Sequence, residues 1–302
     1  MEIMLTGATG FIGPALCEAL VQKGHTLRVL SRNAQRAKKK LPQVAKAFDW
    51  DGLSPLDEKV LEGCDAVIHL AGESVAGRWN SRKKKAIYES RVVSTRNIVQ
   101  AMKRLEHPPK ILLNANAVGY YGTRGDEVLT EASSPGKGFL AEVCTDWEKE
   151  ALQAEAPECR VVILRIGLVM GANGGPLEAM LTPFKMGVGG PLGNGKQWWP
   201  WIHKKDVIGL LLHALEQEQI QGVFHLTAPN PVRQKEFAKT LGRALKRPAF
   251  FPAPAFGMRL VLGEFASDVL ASQRVLPQKA LATGYTFQFE DLESALRQIL
   301  NK

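Results

Sequence analysis

Apolar residues fall along this chain in two patterns. The first is a set of short, nearly unbroken runs, each reading as a strand buried on both faces. They are Met1–Leu5, Thr26–Ser31, Asp65–Gly72, Lys110–Ala117, Cys159–Arg165 and Gly222–Ala228. The stretch Ala47–Asp51 reads as a further strand end. The second pattern is helical spacing. It is carried by Ala15, Leu16, Ala19 and Leu20, then by Val92, Ile98, Val99 and Met102 in one long helix from about Arg82 to Arg104. Phe237, Leu241 and Leu245 mark an amphipathic helix over Arg233–Lys246, and the chain closes on a helix over Phe287–Ile299. Strands alternating with helices predict an α/β fold around a parallel sheet.

The first strand runs into Thr6-Gly7-Ala8-Thr9-Gly10-Phe11-Ile12-Gly13 and then a helix. Gly7 permits a tight turn, Gly10 lets backbone approach a pyrophosphate, and Gly13 lets helix pack on strand. The free N–H groups of the helix N-terminus then face the phosphates. This strand–glycine turn–helix order predicts a Rossmann-type doubly wound parallel sheet that binds a dinucleotide across Thr6–Gly13. The predicted domain covers residues 1–170, with the sheet completed by 207–228. Residues 171–206 and 229–302 are left for a smaller C-terminal substrate or lid region.

The end of the second strand selects the cofactor. An NAD site places a carboxylate there for the ribose 2′-hydroxyl. Here Ser31-Arg32-Asn33 stands instead, with no Asp or Glu between Gly24 and Gln35. A hydroxyl and a cation suit a 2′-phosphate, so Ser31 and Arg32 predict NADP(H). In an open parallel sheet the ligand lies beyond the carboxyl ends of the strands. That adds Leu70, Ala71, Gly72 and Glu73 after the His69 strand, and Ile166 and Gly167 after the Arg165 strand. Asp49 or Trp50 either lies beside the adenine or packs at its strand end. Arg165 either fixes a loop or substrate phosphate or forms a structural ion pair.

Composition narrows the class. Apolar residues make up 45% and charged residues 23% of the 302, ordinary for a globular protein. No apolar run reaches the roughly 18–20 residues of a membrane span, and the chain opens directly on a strand, so neither a membrane partner nor a signal peptide is expected. Cys17, Cys64, Cys144 and Cys159 are scattered without a Cys-x-x-Cys pair. They predict a reducing cytoplasm and no metal site. The net charge of +9 is concentrated in Arg32–Lys40 and Arg82–Arg91. The first group has no interleaved aromatics and no nucleic-acid module appears, so a small molecule is the expected partner. Three indoles in Trp198-Trp199-Pro200-Trp201 follow a glycine-rich stretch, Gly171–Gly195. Trp198 and Trp199 form either a stacking wall or packing beneath a lid, and Trp201 is expected in the core.

The ordered set Gly7-x-x-Gly10-x-x-Gly13, His69-Leu70-Ala71-Gly72 and Val118-Gly119-Tyr120-Tyr121-Gly122 resembles the extended short-chain dehydrogenase/reductases, which include NAD(P)-dependent epimerases and dehydratases. Leu164–Gly171, Gly187–Gln197 and Trp201–Val207 are similar to its epimerase subfamily of uncertain substrate, some members of which are named cell-division inhibitor homologues. The resemblance covers nearly the whole chain. It implies an NADP(H)-dependent oxidoreductase or epimerase acting on a small molecule such as a sugar nucleotide. It also implies a homodimer, a structural role for His203 before Asp206, and an anion contact for Arg274.

The chain departs from the family's catalytic pattern, a Ser or Thr after the fourth strand and a Tyr-x-x-x-Lys on the next helix. The Ser position falls at Asn116 or Ala117, and Phe139 and Val143 occupy the Tyr and Lys positions. Phe and Val transfer no proton. Tyr120, Tyr121 and Asn116 are therefore the catalytic candidates, with Lys137, Glu142 and Glu73 nearby in the pattern. The alternative function is a non-catalytic NADPH-binding regulator, of cell division if the family naming holds.

Overall fold

The computed structural model describes residues 1–301. Seven strands form the central sheet: β1 (Glu2–Thr6), β2 (Thr26–Ser31), β3 (Lys46–Asp49), β4 (Ala66–His69), β5 (Ile111–Ala117), β6 (Arg160–Ile166) and β7 (Gly222–Leu226). Their spatial order is β3-β2-β1-β4-β5-β6-β7, and every pairing is parallel. The order reverses at β1, so the crevice of a doubly wound sheet opens between β1 and β4. The α/β, Rossmann-type architecture expected from the motifs is the one observed.

The strands are apolar throughout because helices cover both faces. Ile3 and Leu5 of β1, Leu113 of β5 and Val162 and Leu164 of β6 pack into one core with Leu16 and Leu20 of α1 (Gly13–Gln22). The alternate residues Met4, Leu112, Val161 and Ile163 point the other way, to Ile98 and Met102. Farther along the chain lie α2 (Ala34–Lys40), α3 (Ser81–Glu89), α4 (Val92–Arg104), α5 (Phe139–Leu152), α6 (Gly175–Lys185), α7 (Lys204–Glu216), α8 (Gln234–Leu245) and α9 (Ala255–Leu262). They are followed by α10 (Phe265–Val269), α11 (Gln278–Ala282) and α12 (Leu292–Ile299). A third core beside the sheet joins α6, α8 and α12 and holds Trp199 and Trp201. No helix of the described residues is long and apolar enough to cross a membrane. All four cysteines are free and buried.

Two expected elements differ. The helix over 82–104 is broken between α3 and α4. Ser90 Oγ accepts the Glu73 N–H at 2.9 Å, and the Arg91 guanidinium turns back to the Ile87 carbonyl at 3.1 Å. These bonds tie the break to the end of β4. The closing helix starts at Leu292 rather than Phe287. The backbone N–H groups of Gln288 and Phe289 instead bind the buried Asp206 carboxylate at 2.8 and 3.0 Å, which holds that segment against the start of α7.

Candidate functional site: a glycine-lined cleft and a buried arginine network

A cleft of about 560 Å³ opens at the carboxyl ends of β1, β2 and β4. Its lining includes Thr6, Gly7, Thr9, Gly10, Phe11, Ile12 and Gly13 from the first turn, Ser31 and Arg32 after β2, and Leu70, Ala71, Gly72 and Glu73 after β4. Ile166 and Gly167 are not part of that lining. A Cβ on Gly167 would meet the Pro200 carbonyl oxygen at 2.2 Å, so this glycine serves close packing of the chain after β6.

The glycine turn has little freedom to vary. Gly7 has φ +72°, and a Cβ there would lie 2.8 Å from the Leu70 carbonyl. A Cβ on Gly13 would lie 2.3 Å from the Ala8 oxygen. Ile12 caps α1 without a side-chain hydrogen bond, which leaves the first helical N–H groups facing the cleft.

Cations surround the cleft. Arg32 is exposed after β2, and Lys40 reaches over the turn to the Thr9 carbonyl at 2.7 Å. Lys83 pairs with Glu73 at 2.7 Å and holds its carboxyl below the usual range, with Arg32 and Arg91 adding to the effect. Arg91 escaped the sequence reading because it sits in the unforeseen helix break. Its largely buried guanidinium lies against Gly72, and burial lowers its pKa. Among the described residues it hydrogen-bonds Ile87 O and Ser90 Oγ and has no carboxylate within ion-pair distance. Trp50 walls the far side, its indole N–H on the Ser54 carbonyl at 2.9 Å. Asp49 is committed elsewhere, accepting the Ala34 N–H that opens α2.

Deeper, at the ends of β5, β6 and β7, lies a buried network. Arg165 is 2% exposed and grips both oxygens of Glu148 at 2.9 and 3.1 Å. It also donates to the Tyr121 hydroxyl at 2.7 Å. His225 Nδ1 faces the Leu276 carbonyl at 2.9 Å and so carries the proton. The Tyr121 hydroxyl lies 2.6 Å from Nε2 and 2.9 Å from the Thr130 carbonyl, two acceptors that share its single proton. Burial pushes His225 down to about 4, which keeps the ring neutral. Burial also pushes Tyr121 up to about 12, and this tyrosine has no exposed surface to offer a substrate.

Asn116 is likewise occupied, donating to the Cys144 carbonyl at 2.9 Å and accepting from Ala117 N at 2.7 Å. Tyr120 is different. Its half-buried ring lies over the Arg165 guanidinium at 3.5 Å, and its hydroxyl makes no hydrogen bond among the described residues. Phe139, the first residue of α5, packs edge-on against Trp79 at 5.2 Å, and Trp79 meets Phe265 at 5.6 Å. Val143 is buried. Lys137 and Glu142 are both exposed.

A second cavity, about 400 Å³, is lined by Gly125, Asp126, Asn194, Lys196, Arg233 and Ser272 among others. At this end Trp198 lies between two guanidiniums, Arg233 at 4.3 Å and Arg274 at 4.7 Å from the ring centre, and its N–H bonds Asp126 at 2.9 Å. Arg233 pairs with Asp126 at 2.8 Å, whereas the buried Arg274 Nε has no partner among the described residues. Trp199 and Trp201 are core residues. His203 caps α7 through Nδ1 and bonds Gln298 through Nε2, and burial pushes it down to about 4.

The NAD dependent epimerase/dehydratase family model matches residues 3–226, and a domain of unknown function, DUF1731, matches residues 253–299. The epimerase family protein SDR39U1 homolog of Arabidopsis thaliana chloroplasts is 42% identical, over 99% of this chain and 87% of its own. The epimerase family protein YfhF of Bacillus subtilis is 38% identical over 99% of this chain and 98% of its own. Among solved structures, human epimerase family protein SDR39U1 (isoform 2) with NADPH is 36% identical, covers all of both chains and superposes with a TM-score of 0.89.

Proposed function

The chain belongs to the NAD-dependent epimerase/dehydratase family, and from that membership we propose that it binds NADPH in the β1–β4 cleft and acts as an oxidoreductase or epimerase on a small anionic molecule. The observation that carries this reading is the charge at the cleft. Arg32, which lines the cleft, stands where an NAD site has a carboxylate, and Arg91 adds positive charge from behind Gly72, stacked over the Trp147 ring. The human relative's NADPH complex supports the same assignment.

The residues fit the group. Thr6–Gly13 would hold the pyrophosphate on the helix N-terminus. Ser31 and Arg32 would hold the 2′-phosphate, and Trp50 would flank the base. NADPH supplies a hydride when bound. The protein's own part is to orient and exclude water, with residues 171–206 and 229–302 as the substrate region. Arg233 and Arg274 beside Trp198 suit a phosphate or carboxylate of the substrate, a sugar nucleotide included. Tyr120 is the residue we assign to proton transfer, since Tyr121 and Asn116 are committed to internal bonds. Titrating the protein with NADPH and NADH by calorimetry tests the cofactor. NADPH is expected to bind tighter, and equal or tighter NADH binding would overturn the assignment.

Phe139 and Val143 favour a second reading, a cofactor-binding regulator without turnover. NADPH deuterated at C4 in each stereochemical form, incubated with metabolite extract, separates the two. Label arriving in a metabolite supports the enzyme. Label retained in the cofactor, together with no metabolite changed in configuration after incubation with NADP⁺, supports the regulator.

A further inference from the structure

The six most exposed large apolar side chains among the described residues are Met186, Val188, Phe250, Phe256, Leu260 and Val261, at 54–79%. They gather on one part of the C-terminal region. Gly190 abuts the Phe251 backbone, Gly187 lies beside Pro248, and Ala253 N donates to the Pro191 carbonyl at 2.8 Å. The two segments therefore run side by side, and α9 follows directly. No residue of α9 is buried. Ala255, Gly257, Met258 and Leu262 are half-buried, whereas Phe256, Leu260 and Val261 are exposed beside the other exposed apolar residues, and such an uncovered apolar face marks a surface for something else.

Charge identifies the occupant. Between Glu236 and Glu264 there is no carboxylate but five cations, and the stretch after Glu178 that carries Met186 and Val188 has Lys185 and no carboxylate. Lys185, Lys246, Arg247 and Arg259 are exposed next to the apolar residues. Glu264, just after α9, is spent on an ion pair with Lys84. A second copy of this chain docking symmetrically on the patch would set these cations against themselves. A surface that is anionic outside and apolar within has the complementary order.

We propose that this face docks on the anionic surface of a lipid bilayer. Phe256 and Leu260, one turn apart on α9, enter the headgroup–acyl boundary, while Lys246, Arg247 and Arg259 pair with lipid phosphates. Ala255, the first residue of α9, also lines the cavity beside Trp198, so the docked face adjoins that cavity. The inference is independent of the cofactor.

The test is co-sedimentation of the whole protein with vesicles of phosphatidylcholine alone or with added phosphatidylserine. Binding is expected on the anionic vesicles only and should weaken with salt. The F256S/L260S variant alters exposed positions and is expected to keep its melting temperature while losing about tenfold or more in vesicle affinity. Each of Arg247→Gln and Arg259→Gln is expected to lose about fivefold. Equal binding to both vesicle types, no binding to either, or unchanged binding by F256S/L260S would overturn the proposal. A concentration-dependent dimer that F256S/L260S abolishes, without vesicle binding, would overturn it in favour of a second copy.

Discussion

Replacing Glu148 with alanine removes the carboxylate that, among the described residues, grips Arg165 at 2.9 and 3.1 Å. The arginine side chain is 2% exposed and the glutamate 14%, so water reaches the vacated place only from the glutamate's edge. Tyr121 still accepts one guanidinium N–H, but it carries no charge, and Arg165 Nε already lacks a partner. Breaking a buried pair from one side costs about 3–5 kcal/mol because the other charge stays buried and uncompensated. Partial exposure of Glu148 places the expected loss near about 3 kcal/mol. For a chain of this length that lowers Tm by about 5 °C. The informative comparison is the double variant E148L/R165M, which replaces both charges by apolar groups of similar size. It is expected to lose about 1 kcal/mol or less relative to the native chain, well short of Glu148→Ala alone. Thermal and urea unfolding measure both. A Glu148→Ala cost below about 1 kcal/mol, or a double variant at least as unstable as Glu148→Ala, would refute the reasoning.

Two further outcomes follow from the same structure. Arg32→Ala should weaken NADPH about 10–100-fold, the value of a charge-assisted contact to phosphate, and leave NADH within about twofold. Calorimetry with both cofactors reads the ratio, and a parallel loss for both would remove Arg32 from the 2′-phosphate. Burial holds His69 down to about 3 and His203 and His225 to about 4, against 6.5 unfolded. The folded state therefore binds fewer protons, so the stability these rings contribute is complete above pH 6.5 and is lost as pH falls toward 4. Each ring should cost roughly 2 kcal/mol by pH 5. Tm measured from pH 7 to pH 5 should fall steeply, and a flat profile would contradict neutral burial.

The sheet and its glycine-lined cleft were legible because they depend on local signals. Short apolar runs bounded by glycine and polar turns read as strands covered on both faces, and Gly7 and Gly13 sit where backbone leaves no room for a Cβ. The missing carboxylate after β2 is likewise a property of one short stretch. Thirteen of the residues assigned to the cofactor from the motifs line one cleft for this reason.

What the order of residues left open was settled by contacts between distant segments. In the sequence Arg91 stands only as the last cation of the Arg82–Arg91 group. The break at Ser90, fixed by Glu73 some seventeen residues away, turns it toward Gly72. Tyr120 and Tyr121 are neighbours of the same type, yet His225 on β7 and Arg165 on β6 bury one hydroxyl in a network and leave the other unbonded. Only tertiary structure separates them, because the partners lie 44 and 104 residues away. The exposed face of α9 could not be read from periodicity either, since an apolar helix and a buried one share the same pattern until their neighbours are placed. The sequence by itself determined the backbone path and the chemistry at the strand ends. Packing decided which charged and aromatic groups keep a free face, since desolvation depends on what the rest of the chain brings alongside.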